Sequence, residues 1–434
     1  MTLPGSIKDR EHARFRQGPS KDKTRVAVIN EQGPYNPVPV SLVSEDSFGR
    51  VKTAPPYLLF DSSFQYSLQT KVFIQSTQLG ASIIHDSVRC AAKIQASSTA
   101  GSRARFRSRN YFPYSPAFTN TITASFNFHG IQSGIVKRVG MFDEKNGYIL
   151  EASNGAMRVG IRSSISGVPM TTYVDQADWN VDKMDGSGDE ITNPSGVLLD
   201  PTKQLILSIS YQWLGSGMVQ FSIIEGANIR VIHRFFHSNI LTSLYSQTGT
   251  LPVQAEILNQ SGLESYFEFT CCSVVSNGAN AQHGHLNSVS NLSAPKSMPN
   301  INVAYPVISL RKKAGFTNVP VQILDMSAFS TSQDDFLVQI VHKPTLVGAV
   351  WADIPNSLCQ RDLSATSLTG GDIVAQFYMK GNLQASEKLE ALSKFWDLTL
   401  GDDFAGNSEI MTMVGIPLTT NALLYGVISF KEFE

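Results

Sequence analysis

The chain has 434 residues, enough for two or three domains with cores of their own. Its formal net charge is -1 and only 16% of its residues are charged, against about 25% in an average globular chain. Such a surface hydrogen-bonds but carries little field, which argues against nucleic acid as a partner, and no apolar run approaches the ~20 residues of a bilayer span, so no membrane insertion is expected.

Residues 1–55 read as an extended arm. Lys8, Arg10, Arg14, Arg16, Lys21, Lys23 and Arg25 stand there against Asp9, Glu11 and Asp22, and Pro34, Pro37 and Pro39 follow. This composition cannot bury enough apolar area to fold alone, so the arm is expected to lie on a partner. The opening residues MTLPGSIKDREHARFRQ lack the apolar centre of a signal peptide, and none is expected.

Residues 56–276 read as an antiparallel β-sandwich. Ile122, Ala124, Phe126 and Phe128 alternate with polar residues, and so do Leu205, Leu207, Ile209, Tyr211 and Trp213. Gly215-Ser216-Gly217 and Glu225-Gly226-Ala227-Asn228 then separate two further runs, Val219–Ile223 and Ile229–Phe235. Period-two runs joined by glycine turns form a meander with one packed face.

Within this domain GSRARFRSRNYF places Arg103, Arg105, Arg107 and Arg109 on one face of a strand. Such a row is either an anion-binding rail or a face whose charges are met by Asp and Glu. Next, VGMFDEKNGYILEASNGAMRVGIRSS contains Asn146-Gly147 and Asn154-Gly155, both hairpin signals. Turns centred there set Phe142 opposite Glu151, Glu144 opposite Ile149, Glu151 opposite Arg158 and Tyr148 opposite Ile161. Met141, Tyr148, Leu150, Ala152, Met157, Val159 and Ile161 then share a core face. Glu144 and Glu151 become diagonal neighbours on the other face, about 7–8 Å apart, a span within reach of a glycosidase pair. The arginine opposite Glu151 lowers its pKa, the wrong direction for a general acid, so that face is read as solvated.

The loop 171–195 is long for a β connection and carries Tyr173, Trp179 and Asn180, candidates for stacking on and hydrogen-bonding to a glycan. The alternative is that Trp179 anchors the loop. Asp182 and Asp185 in this loop miss EF-hand spacing. His233 falls on an apolar strand face and reads as a core histidine, while His283 and His285 lack a third metal ligand.

Residues 277–303 are polar and aperiodic and read as a linker. Residues 304–434 read as a second, mainly β domain whose ends echo one another, YPVISLRKK at 305–313 and YGVISFKEF at 425–433. One short helix is expected over SEKLEALSKFW, 386–396, from its apolar stripe and the capping Ser386. Cys90, Cys271, Cys272 and Cys359 show neither a disulfide framework nor zinc spacing. The fold class is therefore all-β: an antiparallel sandwich of jelly-roll or lectin-like type, then a second β domain. No cofactor, metal site or catalytic constellation is evident, and the chain is read as no enzyme.

Several blocks together resemble a family of tailed-bacteriophage virion structural proteins: GRVKTAPPYLLFDSSFQYSLQ (49–69), VKRVGMFDEKNGYILEASNGAMRVGIRSS (136–164), QADWNVDKMDGSG (176–188) and SYQWLGSGMVQFSIIEGANIRVIHRFFHSN (210–239). The resemblance implies a virion component made in the bacterial cytoplasm: a tail, baseplate, collar or fibre subunit, with a capsid decoration protein or a virion glycan-degrading enzyme as alternatives. Its expected partners are other virion proteins through the N-terminal arm, further copies of the chain in a trimer, and a host surface glycan. The WLGSG and EGAN turns also resemble those of lectin-type jelly rolls, a likeness of fold alone.

Overall fold

The computed structural model describes residues 56–116, 118–278, 284–292, 294–316, 318–331, 333–381, 384–388, 398–418 and 422–433, and no side chain of 384–388. The expected arm, His283 and most of the expected helix lie outside these residues.

The strands of the first core are β1 (Tyr57–Ser63), β2 (Phe73–Gln78), β3 (Ser82–Asp86), β4 (Ala91–Ala96), β5 (Arg103–Ser108), β6 (Thr119–Asn127), β7 (Ile135–Phe142), β8 (Gly147–Ser153), β9 (Ala156–Ser163), β10 (Met170–Asp175), β11 (Leu205–Tyr211), β12 (Val219–Glu225), β13 (Asn228–Phe235), β14 (Val253–Asn259) and β15 (Ser265–Asn277). One sheet runs β13-β12-β11-β6-β15-β4-β3 with β1 also on β15, and the other runs β10-β9-β8-β7-β14-β5-β2. Every pair is antiparallel. The sheets pack face to face because each carries apolar residues at every second position. Tyr148 meets Tyr211 across the gap, ring centroids 4.6 Å apart, and Phe64 meets Phe106 at 5.2 Å.

One charge lies in this core. Lys137 is 1% exposed, and its Nζ donates to the carbonyls of Phe128 at 2.6 Å and Gly130 at 3.3 Å. Burial lowers its pKa to about 8.

The two Asn-Gly sites behave differently. Asn154 and Gly155 have φ of 49° and 84°, and the β8–β9 register is the expected one: Ser153 opposite Ala156, Glu151 opposite Arg158, Tyr148 opposite Ile161. The first hairpin turns earlier than expected. Phe142 pairs with Gly147 and Arg138 with Glu151. Asp143 accounts for the difference: its Oδ1 accepts from the N–H groups of Lys145 and Asn146, each at 2.7 Å, and its own N–H bonds the Asn146 carbonyl. The Asx turn closes a four-residue loop, Asp143–Asn146, that ends on Asn146 and leaves Gly147 as the first residue of β8.

The strands of the second core are β16 (His285–Ser290), β17 (Lys296–Met298), β18 (Tyr305–Lys312), β19 (Val321–Phe329), β20 (Phe336–His342), β21 (Thr345–Val347), β22 (Ala352–Asp353), β23 (Cys359–Asp362), β24 (Ser367–Thr369), β25 (Asp372–Met379), β26 (Gln384–Lys388), β27 (Thr399–Leu400), β28 (Ile410–Pro417) and β29 (Ala422–Glu432). They form sheets β16-β29-β19-β26 (with β17 and β27) and β22-β23-β18-β28-β20-β25, beside a small β21-β24 pair. The echoed ends are β18 and β29, one in each large sheet. A side chain at Gly426 would come within 2.7 Å of Met413 Sδ and 3.3 Å of Ile308 Cδ1, so glycine lets the two sheets approach there.

Two expectations are corrected. Residues 285–298 are no linker, because β16 and β17 both pair with β29. Asn291 fastens them, its Oδ1 accepting from Gly426 N at 2.7 Å and its Nδ2 donating to Leu424 O at 3.1 Å. Nor does a helix start at Ser386, which lies in β26 and pairs with Ser327 of β19. Among the described residues there is no α-helix, and no helix long and apolar enough to cross a membrane; Gln176–Asp178 form a 3-10 turn.

Candidate functional site

The outer face of the seven-stranded sheet holds the charged residues singled out in the sequence. Its central row crosses all seven strands by direct registration: Asp175, Arg158, Glu151, Arg138, Glu256, Arg105, Ser76. From Asp175 to Arg105 the sign alternates at every step, so each charge from Arg158 to Glu256 has an opposite charge on both neighbouring strands. Burying such charges is tolerable only when they are paired.

Glu151 is fully buried, contrary to the expectation of a solvated face. Arg138 Nε donates to its Oε2 at 2.7 Å and Arg158 Nε to its Oε1 at 2.7 Å, and the Tyr173 hydroxyl completes the shell. Burial raises its pKa, but Arg138, Tyr173 and Arg158 outweigh that and hold it below the ordinary carboxylate value. Glu256, also buried, accepts from Arg103 Nε at 2.8 Å and Arg138 Nη1 at 3.2 Å. Glu144 stands in the β7–β8 turn, half exposed, and takes Arg105 at 2.8 Å and Arg103 at 3.1 Å. Against some desolvation, those arginines lower its pKa too.

The arginine strand continues into a joint with the second core. Arg107 Nη2 lies 3.2 Å from Asp402 Oδ1 and donates to the carbonyls of Asp402 and Asp403 at 3.2 and 3.3 Å. The Phe404 ring lies under both guanidinium groups, 4.4 Å from that of Arg105 and 4.7 Å from that of Arg107. Arg109 Nε lies 3.2 Å from Glu409 Oε2, and its Nη1 lies 3.4 Å from His342 Nδ1. Arginine can only donate, so His342 Nδ1 accepts and its Nε2–H donates to Glu409 Oε2 at 3.0 Å. Burial lowers the His342 pKa despite Glu409, which keeps the ring neutral. Gly401 lies beneath: a Cβ there would meet Arg109 Cγ at 2.6 Å, so the loop can close on the strand only with glycine. Two carboxyls of the joint are shifted in opposite directions. Burial raises Asp402 to about 6 over the opposition of Arg107 and Lys312. Glu409 is also pushed up by burial, but His342, Arg109 and Lys343 bring it down to about 2.

The four arginines therefore share one face and are met by carboxylates, two of which arrive from the second core. The sequence reading missed Arg138, Glu256, Asp402, His342 and Glu409. The first two had a signal, a charge inside an apolar run: Arg138 beside Lys137 in β7, and Glu256 alone in β14. The other three had none, because Asp402 lies 295 residues from Arg107.

The loop 171–195 lies on the sandwich, and of its two readings the burial of Trp179 matches the anchor. Trp179 is 3% exposed and its Nε1 donates to Val174 O at 3.3 Å. Asn180 is tied to β13, Nδ2 donating to Arg234 O and Oδ1 accepting from Arg234 N, both at 2.9 Å. The Tyr173 ring stacks on Arg158, 4.0 Å from its guanidinium, with its hydroxyl on Glu151. Asp182, Asp185 and Asp189 each accept from backbone N–H groups of the loop. Among the described residues no group of acidic, His or Cys side chains could hold a metal. His233 is buried, accepts from Asn180 N through Nδ1, and is lowered to about 4 by burial.

An open cleft of about 650 Å³ lies between β2, the edge of this sheet, and residues 403–405 of the second core. Thr70, Phe73, Ile74, Gln75, Ser76 and Thr77 form one wall.

No family model matches the sequence, and no curated protein does. Solved structures do match in fold. One is described with endo-acting O-glycanases of the human gut microbiota that initiate mucin breakdown: 13% identity, TM-score 0.37, covering 50% of this chain and 99% of that one. Another is a Bacteroides ovatus mixed-linkage glucan GH16 protein with a bound product: 14% identity, TM-score 0.34, 50% and 100% coverage. A third is the metal-free carbohydrate recognition domain of Emp46p: 10% identity, TM-score 0.29, 52% and 97% coverage. These matches overturn the expectation of no enzyme, which rested on absent sequence motifs, since glycoside hydrolases stand among them. At this identity and TM-score they assign this chain no activity. The chain is an antiparallel jelly-roll-type β protein with a second β core.

Proposed function

We propose that the chain is a structural subunit of a tailed-bacteriophage virion, a tail, baseplate, collar or fibre component assembled in the host cytoplasm. The observation that supports this reading is the joint: Arg107 and Arg109 pair with Asp402 and Glu409, fastening the two cores to each other. The blocks shared with virion structural proteins point the same way. The test is antibody labelling of intact particles, with label expected on the tail. Particles free of the chain remove the reading, and label over the whole head surface turns it to capsid decoration.

A second reading, a virion-borne glycan hydrolase, is favoured by one observation: Glu144, Glu151 and Glu256 gather on one sheet face through shared arginines. Release of reducing ends from host envelope polysaccharide, lost in both Glu144→Gln and Glu151→Gln, would establish it. Release of none removes it.

A further inference from the structure

One end of the first sandwich is apolar where solvent reaches it. The β11–β12 turn carries Leu214, 47% exposed, and the β13–β14 loop carries Phe236 (56%), Ile240 (66%), Leu241 (46%) and Leu244 (48%). Backbone bonds clasp the two segments. Tyr245 N donates to Gly215 O at 3.0 Å, and Ile240 N and Leu241 N both donate to His237 O at 3.1 Å. His237 Nδ1 donates to Gly217 O at 2.6 Å, and its ring stacks on that of buried Tyr245, centroids 4.0 Å apart. Leu244 lies so close over Gly215 that a Cβ there would come within 2.3 Å of Leu244 Cδ2. The patch therefore stands on a fixed base, and a partner meets side chains whose backbone is already ordered.

Two features separate this patch from apolar residues scattered over a surface. The first is Leu214, whose φ of 35° lies in the left-handed region that suits glycine and strains leucine. A turn built only for its backbone would use glycine there; this one holds a half-exposed leucine in a strained conformation. The second is charge. Neither 204–224 nor 235–255 contains an Asp, Glu, Lys or Arg. Loss of charge marks the core of a protein interface, whereas an anionic lipid surface attracts basic residues, and these stretches have none. The five exposures amount to about 500 Å², so pairing two such patches buries about 1,000 Å² before any rim is counted, the size at which a specific interface begins. An uncharged apolar patch is also complementary to itself, as a two-fold contact between identical chains requires.

We propose that Leu214, Phe236, Ile240, Leu241 and Leu244 form the core of a contact between two copies of this chain. The proposal stands on the patch itself, whatever particle the chain belongs to.

The test is sedimentation of the full-length chain over a wide range of concentration. Self-association is expected in the wild type. Leu214→Gly relieves the backbone and removes one anchor, so it should weaken association by roughly tenfold or more while the melting temperature stays level or rises. Destabilisation of the fold cannot mimic that combination. Ile240→Asp places a charge in the middle of the patch at an exposed position, and should leave the chain folded and monomeric. A wild type that is monomeric at every concentration overturns the proposal, and so does association that persists in Ile240→Asp. Co-sedimentation with phosphatidylcholine vesicles tests the other occupant: a monomeric wild type that binds them, with binding lost in Ile240→Asp, assigns the patch to lipid and overturns the pairing of copies. Particle labelling is independent of these outcomes: a chain present on tails that stays monomeric loses this contact and keeps its virion role.

Discussion

Glu151 and Lys137 show opposite answers to burying a charge. Glu151 gains two arginines and a phenol; Lys137 gains only two carbonyls. Glu151→Gln should leave Arg138 and Arg158 short of a counter-charge and cost about 2–3 kcal/mol in urea unfolding, below the 3–5 of a fully buried pair because Arg158 reaches solvent. For Lys137 the sign is reversed. Its pKa of about 8 lies below the ordinary lysine value of 10.5, so the unfolded chain binds more protons between those values. The cost of Lys137 is then full below pH 8 and is relieved as pH rises to about 10.5. Lys137→Met should raise stability at neutral pH and flatten that segment of the stability–pH curve. A variant less stable at pH 7 would show that the two carbonyl bonds outweigh the buried charge.

At the scale of elements, the hairpins separate what local chemistry decides from what it does not. Asn154-Gly155 needs positive φ at both positions and has it. Gly155 has open space around a Cβ, so Gly155→Ala meets only backbone strain and should cost about 1 kcal/mol, read from the melting temperature. Asn146-Gly147 carries the same dipeptide, yet the Asp143 carboxylate captures two N–H groups first and moves the register. In the loop 171–195, Trp179 is an anchor. Trp179→Ala should lower stability by about 3 kcal/mol, as other buried aromatic truncations do, with adsorption to host cells unchanged once the variant is folded. Lost adsorption at unchanged stability would contradict this.

At the scale of the molecule, the joint should make the two cores unfold together. Glu409→Gln removes a carboxylate held at about 2 against an ordinary 4.5, and should cost about 3 kcal/mol at pH 7. Calorimetry should then resolve two transitions in place of one. The contribution of Glu409 is present above pH 4.5 and is lost as pH falls towards 2. Asp402 runs the other way. With its pKa raised to about 6, its favourable term is present below pH 3.8 and is lost as pH rises through 6. Asp402→Asn keeps the carbonyl that Arg107 uses and should be nearly neutral at pH 7 while removing that slope. A loss as large as that of Glu409→Gln would refute the contrast.

The sequence by itself determined the runs of β6 and β11–β13, the core face of β7–β9 and the common face of the four arginines, because a period of two and a turn dipeptide act within a few residues. It also paired Glu151 with Arg158, since the β8–β9 turn sets that register locally. Only the tertiary structure decided what those charges meet. Glu256 comes from β14, more than 100 residues beyond Glu151, and Asp402 and Glu409 come from another core. It likewise made the polar stretch after residue 284 into strands, because β29 lies where β16 and β17 can pair with it. Strand pairing depends on which edges are brought together, and no local pattern records that. The helical spacing after Ser386 shows the same limit: residues 384–388 lie along β19, and a free sheet edge outweighs a short stretch's helix propensity.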